Sequence, residues 1–435
     1  MSFTTTGYMR RGYRPQRLRG SLFFPGLLIL ILAGCDAHRE NVPRPPDSTG
    51  SFLQKHWSRP LQTQGNPPAH FSPLEASLDP RACGTCHVAQ FNDWKQSRHS
   101  LAMGPGIMGQ LLNMPAAATE EHQDCIRCHA PLREQADSLV AALARGPDKG
   151  LRPPVDAGPA LHEQGLICAA CHMRGHQRYG PPRKDGSKPE SGAQLPHGGW
   201  VSEAAFGDSR FCAACHQFTN DGYALNGKLL ENTYEEWRTS RHAREGRTCQ
   251  SCHMPDRRHQ WRGIHDAETV KSGITIEMTA ARVKSGTVAA ALSIRNTGTG
   301  HFFPTYVTPK VVAQAYQEDV RGKALPGTLQ EYVIGRQVSP DLITEIADTR
   351  IAPDQQALFD YRAPLHRDTV SLAFRVRVEP DAFYTGFYRD LLKGGQAGSG
   401  ERLIRQALKD SMESAFTLYF QREPLSASAH RPSPP

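Results

Sequence analysis

Cysteine spacing constrains this chain more than any other feature of its sequence. Of its eleven cysteines, ten fall into five pairs in which two residues separate the cysteines and a histidine follows directly. Two thiols at that spacing can form thioethers to the two vinyl groups of one haem, and the adjacent imidazole can then bind the iron. The sequence therefore predicts five covalently attached haem c groups. The five motifs, numbered 1 to 5 along the chain, are Cys83, Cys86 and His87; Cys125, Cys128 and His129; Cys168, Cys171 and His172; Cys212, Cys215 and His216; and Cys249, Cys252 and His253.

Two other uses of paired cysteines compete with haem attachment. These are disulfides in an oxidising compartment and zinc sites, and neither requires a histidine after every pair. The chain has 19 histidines in 435 residues, so five of them at five prescribed positions would arise by chance roughly once in ten million. The pattern therefore favours haem over both alternatives.

The N-terminal segment 1–34 has the pattern of a secretory signal. Five arginines and no acidic residue precede an apolar stretch from Leu22 to Ala33, which is too short for a membrane span. The segment ends in Leu32-Ala33-Gly34-Cys35, which resembles the lipobox of bacterial lipoproteins. We therefore expect lipidation of Cys35 and a periplasmic protein anchored to the inner or outer membrane. An ordinary signal peptide followed by a free cysteine is the alternative.

Net charge gives no support to a nucleic-acid partner. Five of the 51 basic residues lie in the signal segment, and the remaining 46 face 43 acidic residues. Each haem would add roughly two ionised propionates. The mature holoprotein should therefore be near neutral or acidic.

The chain divides into regions of different pattern. Residues 35–80 are rich in Pro, Ser and Gln, which predicts a tether. Attachment motifs then recur at nearly even intervals, so we expect residues 81–266 to form a mainly α or irregular domain organised around five haems. From residue 273 the apolar period changes to two, which predicts a β-sandwich-like domain over 273–422 with a helical segment near its end. Residues 423–435 are expected to be a disordered tail.

A repeated segment suggests histidines for the second axial position of the irons. Trp94-Lys-Gln-Ser-Arg-His99 and Trp237-Arg-Thr-Ser-Arg-His242 match at the tryptophan, serine and histidine. We interpret each as a short helix whose tryptophan packs beside a haem while its histidine reaches an iron. A surface histidine on an amphipathic helix is the alternative reading.

This pattern resembles multihaem cytochromes of the c-552/c-554 type, which are related to the haem domain of hydroxylamine oxidoreductase. The resemblance covers residues 80–266 and is carried by the five motifs, by the two Trp-Ser-His segments and by Thr248-Cys-Gln-Ser-Cys-His-Met-Pro255. It implies that His265, in Gly263-Ile-His-Asp266, is a further distal ligand. His259 is its local competitor.

Two more histidines complete the candidates. His197 stands in Pro196-His-Gly-Gly and is either a ligand or a loop residue. His301 follows a Gly-rich turn and precedes two phenylalanines suited to packing on a porphyrin, so we interpret it as the contact of the β-domain with the haems. His122, His162 and His176 are weaker alternatives. The predicted distal ligands are therefore His99, His197, His242, His265 and His301, one for each iron.

Irons with two histidines are coordinatively saturated, which favours electron transfer over substrate binding. We therefore expect an electron carrier in a periplasmic or cell-surface respiratory chain, with no catalytic residues and with redox partner proteins or quinol-linked donors. The alternative is a multihaem oxidoreductase with one open haem that acts on a small nitrogen or sulfur compound. The chain has no CxxCK motif of the kind found in typical pentahaem nitrite reductases, although relatives with a catalytic haem can keep CxxCH.

Overall fold

The computed structural model describes residues 47–114, 118–144 and 158–425. The predicted signal segment, the predicted lipidation site Cys35 and residues 426–435 of the predicted tail lie outside the described residues. Among the helices that are described, none is long and apolar enough to cross a lipid bilayer.

Short helices and long loops build the part of the chain that carries the CxxCH motifs. A helical turn brings residues three positions apart to the same side, so it lets both cysteines of a motif face one haem. Motif 1 spans the end of one helix and the start of the next, and the other four motifs lie within or at the end of a helix. The helices here are α1 (Ser48–His56), α2 (Pro73–Ala76), α3 (Pro80–Gly84), α4 (Val88–Lys95), α5 (Pro105–Asn113), α6 (Thr119–His129), α7 (Arg133–Ala144), α8 (Cys168–His172), α9 (Arg210–His216), α10 (Thr233–Arg238), α11 (Arg241–Arg244), α12 (Cys249–His253) and α13 (Ala267–Gly273).

Short strands and 3-10 turns connect these helices. Strands β1 (Met173–Arg174), β2 (Gln177–Gly180) and β3 (Val201–Ser202) form one small sheet, and β4 (Ala224–Leu225) pairs with β5 (Lys228–Leu229). The 3-10 segments are Leu161–Gln164, Pro196–Gly198, Ala204–Gly207, Pro255–Arg257 and, near the C-terminus, Gly398–Gly400.

The segment predicted as a tether is folded from Ser48 onward, which differs from the expectation for residues 35–80. Helix α1 buries Leu53 and His56, and the His56 ring stacks on Phe52 at 4.8 Å. His56 Nε2 lies 2.9 Å from the carbonyl oxygen of Cys171, and Arg174 Nε donates to the carbonyl of His56 at 2.7 Å. Composition predicted a tether, but these few aromatic and apolar side chains are enough to pack the segment against motif 3.

Two antiparallel sheets form the C-terminal region and confirm its predicted β-rich character. One sheet has the strand order β11-β10-β9-β13-β14, and the other has the order β12-β8-β6, with β7 also paired to β8. The strands are β6 (Ile274–Met278), β7 (Arg282–Lys284), β8 (Thr287–Asn296), β9 (Lys310–Glu318), β10 (Gln330–Val338), β11 (Glu345–Asp348), β12 (Gln356–Pro364), β13 (Ser371–Glu379) and β14 (Phe416–Pro424).

The two sheets share one hydrophobic core, as expected for a sandwich. Strand β8 alternates buried and partly exposed residues along its length, so one face points inward. From the opposite sheet, Phe374 and Val376 of β13 join Leu292 and Ile294 of β8 in one buried cluster.

Two C-terminal helices, α14 (Ala382–Lys393) and α15 (Glu401–Glu413), precede the last strand and pack back onto α5. The contact requires small residues on α5. A methyl group added at Gly109 would lie 2.7 Å from Ile404 Cδ1 and 3.2 Å from the Gly400 carbonyl oxygen. The C-terminal region therefore contacts the motif-bearing region close to motif 2.

Candidate haem-binding sites

Three motif histidines are oriented by backbone carbonyl groups. The Nδ1 atom lies 2.6 Å from Ala102 O in His129, 2.8 Å from Tyr179 O in His172 and 2.7 Å from Arg262 O in His253. A carbonyl oxygen only accepts, so Nδ1 carries the proton and Nε2 keeps its lone pair. That tautomer presents Nε2 to a metal, and the bond at Nδ1 fixes the ring orientation.

Four motif histidines face a second histidine across a gap. An imidazole nitrogen binds a metal ion at roughly 2 Å and the ring centre lies about 1.2 Å further, so two axial imidazoles have centroids about 6 Å apart. The described pairs have this spacing. The centroid distances and interplanar angles are 6.5 Å and 30° for His87–His197, 6.3 Å and 47° for His99–His216, 6.1 Å and 33° for His172–His259, and 6.4 Å and 12° for His253–His301.

The partners in three of these pairs show the same tautomer as the motif histidines. The Nδ1 atom lies 2.9 Å from a carbonyl oxygen in His197 (Gly199), in His259 (Arg257) and in His301 (Phe302). His197 also has a left-handed backbone with φ 45°, a costly conformation for a residue with a side chain. The two glycines that follow it, Gly198 and Gly199, also adopt positive φ and complete this sharp turn.

Burial keeps several of these imidazoles neutral. It is the largest cause that lowers the pKa of His99 to about 3, and of His172 and His301 to about 4. Nearby imidazoles lower each pKa further. The neutral form binds iron, so these sites are prepared to ligate at physiological pH.

Motif 2 differs from the other four motifs. Within the described ranges, no second histidine ring lies opposite His129 at the spacing of the four pairs. Two partly buried tyrosines lie near its cysteines instead. Burial, with the negative charges of Asp381 and Cys125, raises the pKa of Tyr384. Burial also raises the pKa of Tyr306, and Tyr384, Glu231 and Cys128 add to it.

The structure gives His242 and His265 other partners. His242 is buried, and its Nδ1 lies 3.2 Å from a guanidinium nitrogen of Arg247, which can only donate. The neutral ring of His242 therefore carries its proton on Nε2, whereas His197, His259 and His301 carry theirs on Nδ1. His265 Nε2 lies 3.0 Å from Asp381 Oδ2. The position opposite His172 is occupied by His259, the residue that sequence reasoning ranked below His265.

The two Trp-Ser-His segments share their local structure but not their surroundings. Trp94 donates from Nε1 to Leu166 O at 2.8 Å, and Trp237 donates to Arg247 O at 2.9 Å. His99 faces a motif histidine, whereas His242 lies against the turn at Gly300, where an added methyl group would be 3.4 Å from its Cβ. The sequence repeat therefore predicts the local turn and not the contact that each histidine makes.

Cysteines of different motifs lie side by side. The Cys83 thiol interacts with that of Cys168, the Cys128 thiol with that of Cys215, and the Cys212 thiol with that of Cys249. All ten motif cysteines are free thiols rather than disulfides. In the part of the chain that the structure describes, no three histidine, cysteine or acidic side chains converge as a zinc site would require. The donor set fits haem c better than either alternative.

Comparison with known proteins gives three findings. The family described as cytochrome c554 and c-prime matches residues 82–146, which contain motifs 1 and 2. A curated cytochrome c-554 from Nitrosomonas europaea is 28% identical over 163 residues, which are 35% of this chain and 62% of that protein. The match thus spans less than two thirds of the relative.

The third finding is a likeness of fold. A penta-haem cytochrome c552 from Thermochromatium tepidum has a TM-score of 0.55 at 18% identity, covering 81% of this chain and 100% of that one. The sequence matches and the fold agree with CxxCH motifs that lie on helical turns and present an imidazole beside two thiols. Together with the five motifs, these findings support a multihaem c-type cytochrome that binds haem c covalently.

Proposed function

We propose that this cytochrome is an electron carrier with five haems, one at each CxxCH motif. The observation that carries the proposal is the set of four histidine pairs with the spacing of two axial ligands. Irons held between His87 and His197, His216 and His99, His172 and His259, and His253 and His301 would have no free position. Saturated low-spin irons exchange electrons without binding substrate.

The neighbouring cysteines support one connected array of haems. The thiol contacts join motif 1 to motif 3, motif 2 to motif 4, and motif 4 to motif 5. Cys171 is also close enough to Cys212 and Cys215 to raise the pKa of both thiols electrostatically, which joins motif 3 to motif 4. An electron entering at motif 1 could then pass through motifs 3 and 4 to motif 5, with motif 2 on a branch from motif 4.

The cellular setting is part of the same proposal. The signal pattern and the Leu-Ala-Gly-Cys sequence before residue 36 support export and lipidation at Cys35. A lipid-anchored carrier in a periplasmic or cell-surface respiratory chain would take electrons from a quinol-linked donor or a redox partner protein. Mass spectrometry of the N-terminal peptide would test this step, because an unmodified Cys35 in the mature protein would contradict it.

One observation favours a second candidate function. His129 lacks a facing histidine among the described residues, whereas the four other motif histidines have one. If motif 2 holds an open iron, the protein could be an oxidoreductase acting on a small nitrogen or sulfur compound. Tyr306 and Tyr384 would supply polar groups near that iron.

Electron paramagnetic resonance of the oxidised holoprotein tests both candidates when haem is counted by mass on the same sample. We expect five haems per chain, of which at least four are low-spin. A fifth low-spin haem would establish the carrier throughout. A single high-spin haem that binds cyanide and is lost in His129→Ala would establish an open iron at motif 2. Fewer than four low-spin haems would contradict the assigned pairs.

A further inference from the structure

Helix α10 carries a buried carboxylate, Glu236, which faces the loop that carries His301. The Glu236 side chain is 5% exposed. Its Oε2 atom accepts a hydrogen bond from the Phe302 backbone N–H at 3.0 Å and another from the Thr305 hydroxyl at 3.0 Å. Glu236 therefore holds the backbone directly after His301.

The partner of this carboxylate comes from the β-rich region. Arg350 donates to Glu236 Oε1 at 3.0 Å, is itself 5% exposed and lies over the Phe302 ring at 5.0 Å. Asp348 accepts two further hydrogen bonds from the same guanidinium. A buried carboxylate is tolerated only when it is paired and hydrogen-bonded, so the contact at Phe302 depends on Arg350 as well.

The other side of His301 is fixed from β8 and its turn. The His301 carbonyl oxygen accepts from Asn296 Nδ2 at 2.9 Å and from the Thr299 hydroxyl at 2.7 Å. Gly300 fits closely against α10, because an added methyl group there would lie 2.9 Å from Trp237 Cδ1. The backbone is thus held on both sides of the histidine.

Backbone position determines the direction of the imidazole. His301 Nδ1 bonds to the carbonyl of Phe302, the residue whose N–H is bound by Glu236. A shift of Phe302 would therefore rotate the ring that faces His253 at 6.4 Å.

We propose that Glu236 is a positioning residue that holds His301 on the iron of motif 5. In this arrangement, the β-rich region supplies a distal ligand and Glu236 couples its docking to the coordination of that iron. The inference rests on the proposed pair His253–His301.

The test compares spin state across a set of holoproteins. His301→Ala serves as the reference and is expected to add one high-spin haem per chain, measured by electron paramagnetic resonance with haem counted by mass. Glu236→Ala is expected to gain high-spin haem, at most one per chain. Free imidazole should return both variants to low spin. Glu235→Ala is the matched control, because Glu235 precedes it on α10 and pairs with Arg238 at the surface; its spectrum should match the wild type.

Two conservative variants separate positioning from folding. Glu236→Gln can still accept from the Phe302 N–H and should stay low-spin even if its thermal stability falls. Glu236→Asp keeps the charge but shortens the reach, so it should gain high-spin haem.

A wild-type spin state in both Glu236→Asp and Glu236→Ala would overturn the proposal and leave Glu236 a structural role. If Glu236→Ala does not accumulate, a wild-type spin state in Glu236→Asp alone overturns it. If His301→Ala itself stays low-spin, the assigned pair is wrong, and the failure lies in the proposed function.

Discussion

Replacing His259 with alanine is expected to convert one haem of the proposed five from low spin to high spin, whereas replacing His265 should convert none. The resemblance to known cytochromes implied the reverse. The His259 ring lies 6.1 Å from that of His172 with its Nδ1 bonded to a carbonyl, so its loss removes an axial ligand from the motif 3 iron. His265 instead bonds through Nε2 to Asp381.

The two substitutions should also differ in which property they change, the free energy of unfolding or the spin state. In His265→Ala, the Asp381 carboxylate loses its hydrogen bond to His265 and keeps Arg98 at 3.9 Å. That loss should lower the free energy of unfolding by about 1.5–3 kcal/mol without a change in spin state. In His259→Ala the spectrum should change by one haem, and free imidazole should reverse it.

The assay is spin quantification by electron paramagnetic resonance on oxidised holoproteins, with haem count by mass and thermal unfolding by circular dichroism on the same samples. A stoichiometric high-spin haem in His265→Ala, with an unchanged spectrum in His259→Ala, would refute the geometric assignment. Equal changes in both variants would show that the whole 253–266 segment moves as a unit, which also contradicts the assignment.

Three further predictions concern stability. Arg336→Met should lower the free energy of unfolding by about 3–5 kcal/mol, because it removes one of the two cations that pair with the buried Glu345 carboxylate and leaves the Leu225, Lys228 and Leu229 carbonyl groups without their guanidinium donor. Arg321→Met, in a surface turn, is the control for chemical denaturation. Asp93 has a pKa of about 2, lowered chiefly by its hydrogen bond to Arg258. Its contribution to the free energy of unfolding is present above about pH 4 and is lost as the pH falls toward 2. The free energy of unfolding of Asp93→Asn should therefore depend less on pH in that window, as measured by acid unfolding. Gly109→Ala should lower the melting temperature, because its methyl group would meet Ile404 and the Gly400 carbonyl; an unchanged melting temperature would show that α5 and α15 separate easily.

The chemistry of attachment could be predicted from sequence because it is local. A CxxCH motif contains both thiols and one imidazole within five residues, and the structure places four motifs within or at the end of a helix and motif 1 across the junction of two helices. The change of apolar period near residue 273 was equally informative, because a half-buried strand must alternate its side chains. Sheet order was not predictable, since it depends on which strands meet across the core.

The histidines that face the motif histidines could be predicted only in part because they come from distant segments. His99, His197 and His301, which the sequence proposed as distal ligands from repeated or Gly-rich contexts, each lie opposite a motif histidine. The choice of His259 over His265 depends on Asp93, which accepts hydrogen bonds from the Arg258 side chain and the His259 backbone across more than 160 positions of sequence. No sequence pattern near residue 259 indicates the contact with Asp93.

The β-rich region and its C-terminal helices meet the proposed haems at two places with opposite consequences. At motif 5 the loop after β8 supplies His301, which would fill the sixth position of the proposed iron. Near motif 2, α14 supplies Tyr384, a phenol that is protonated at neutral pH because its pKa lies above the ordinary tyrosine value of about 10. A protonated phenol donates a hydrogen bond and is a poor iron ligand compared with a phenolate. The C-terminal region would therefore occupy the sixth position of the motif 5 iron and place a hydrogen-bond donor beside the motif 2 iron. The choice between an electron carrier and an enzyme then depends on whether the motif 2 iron has an open position.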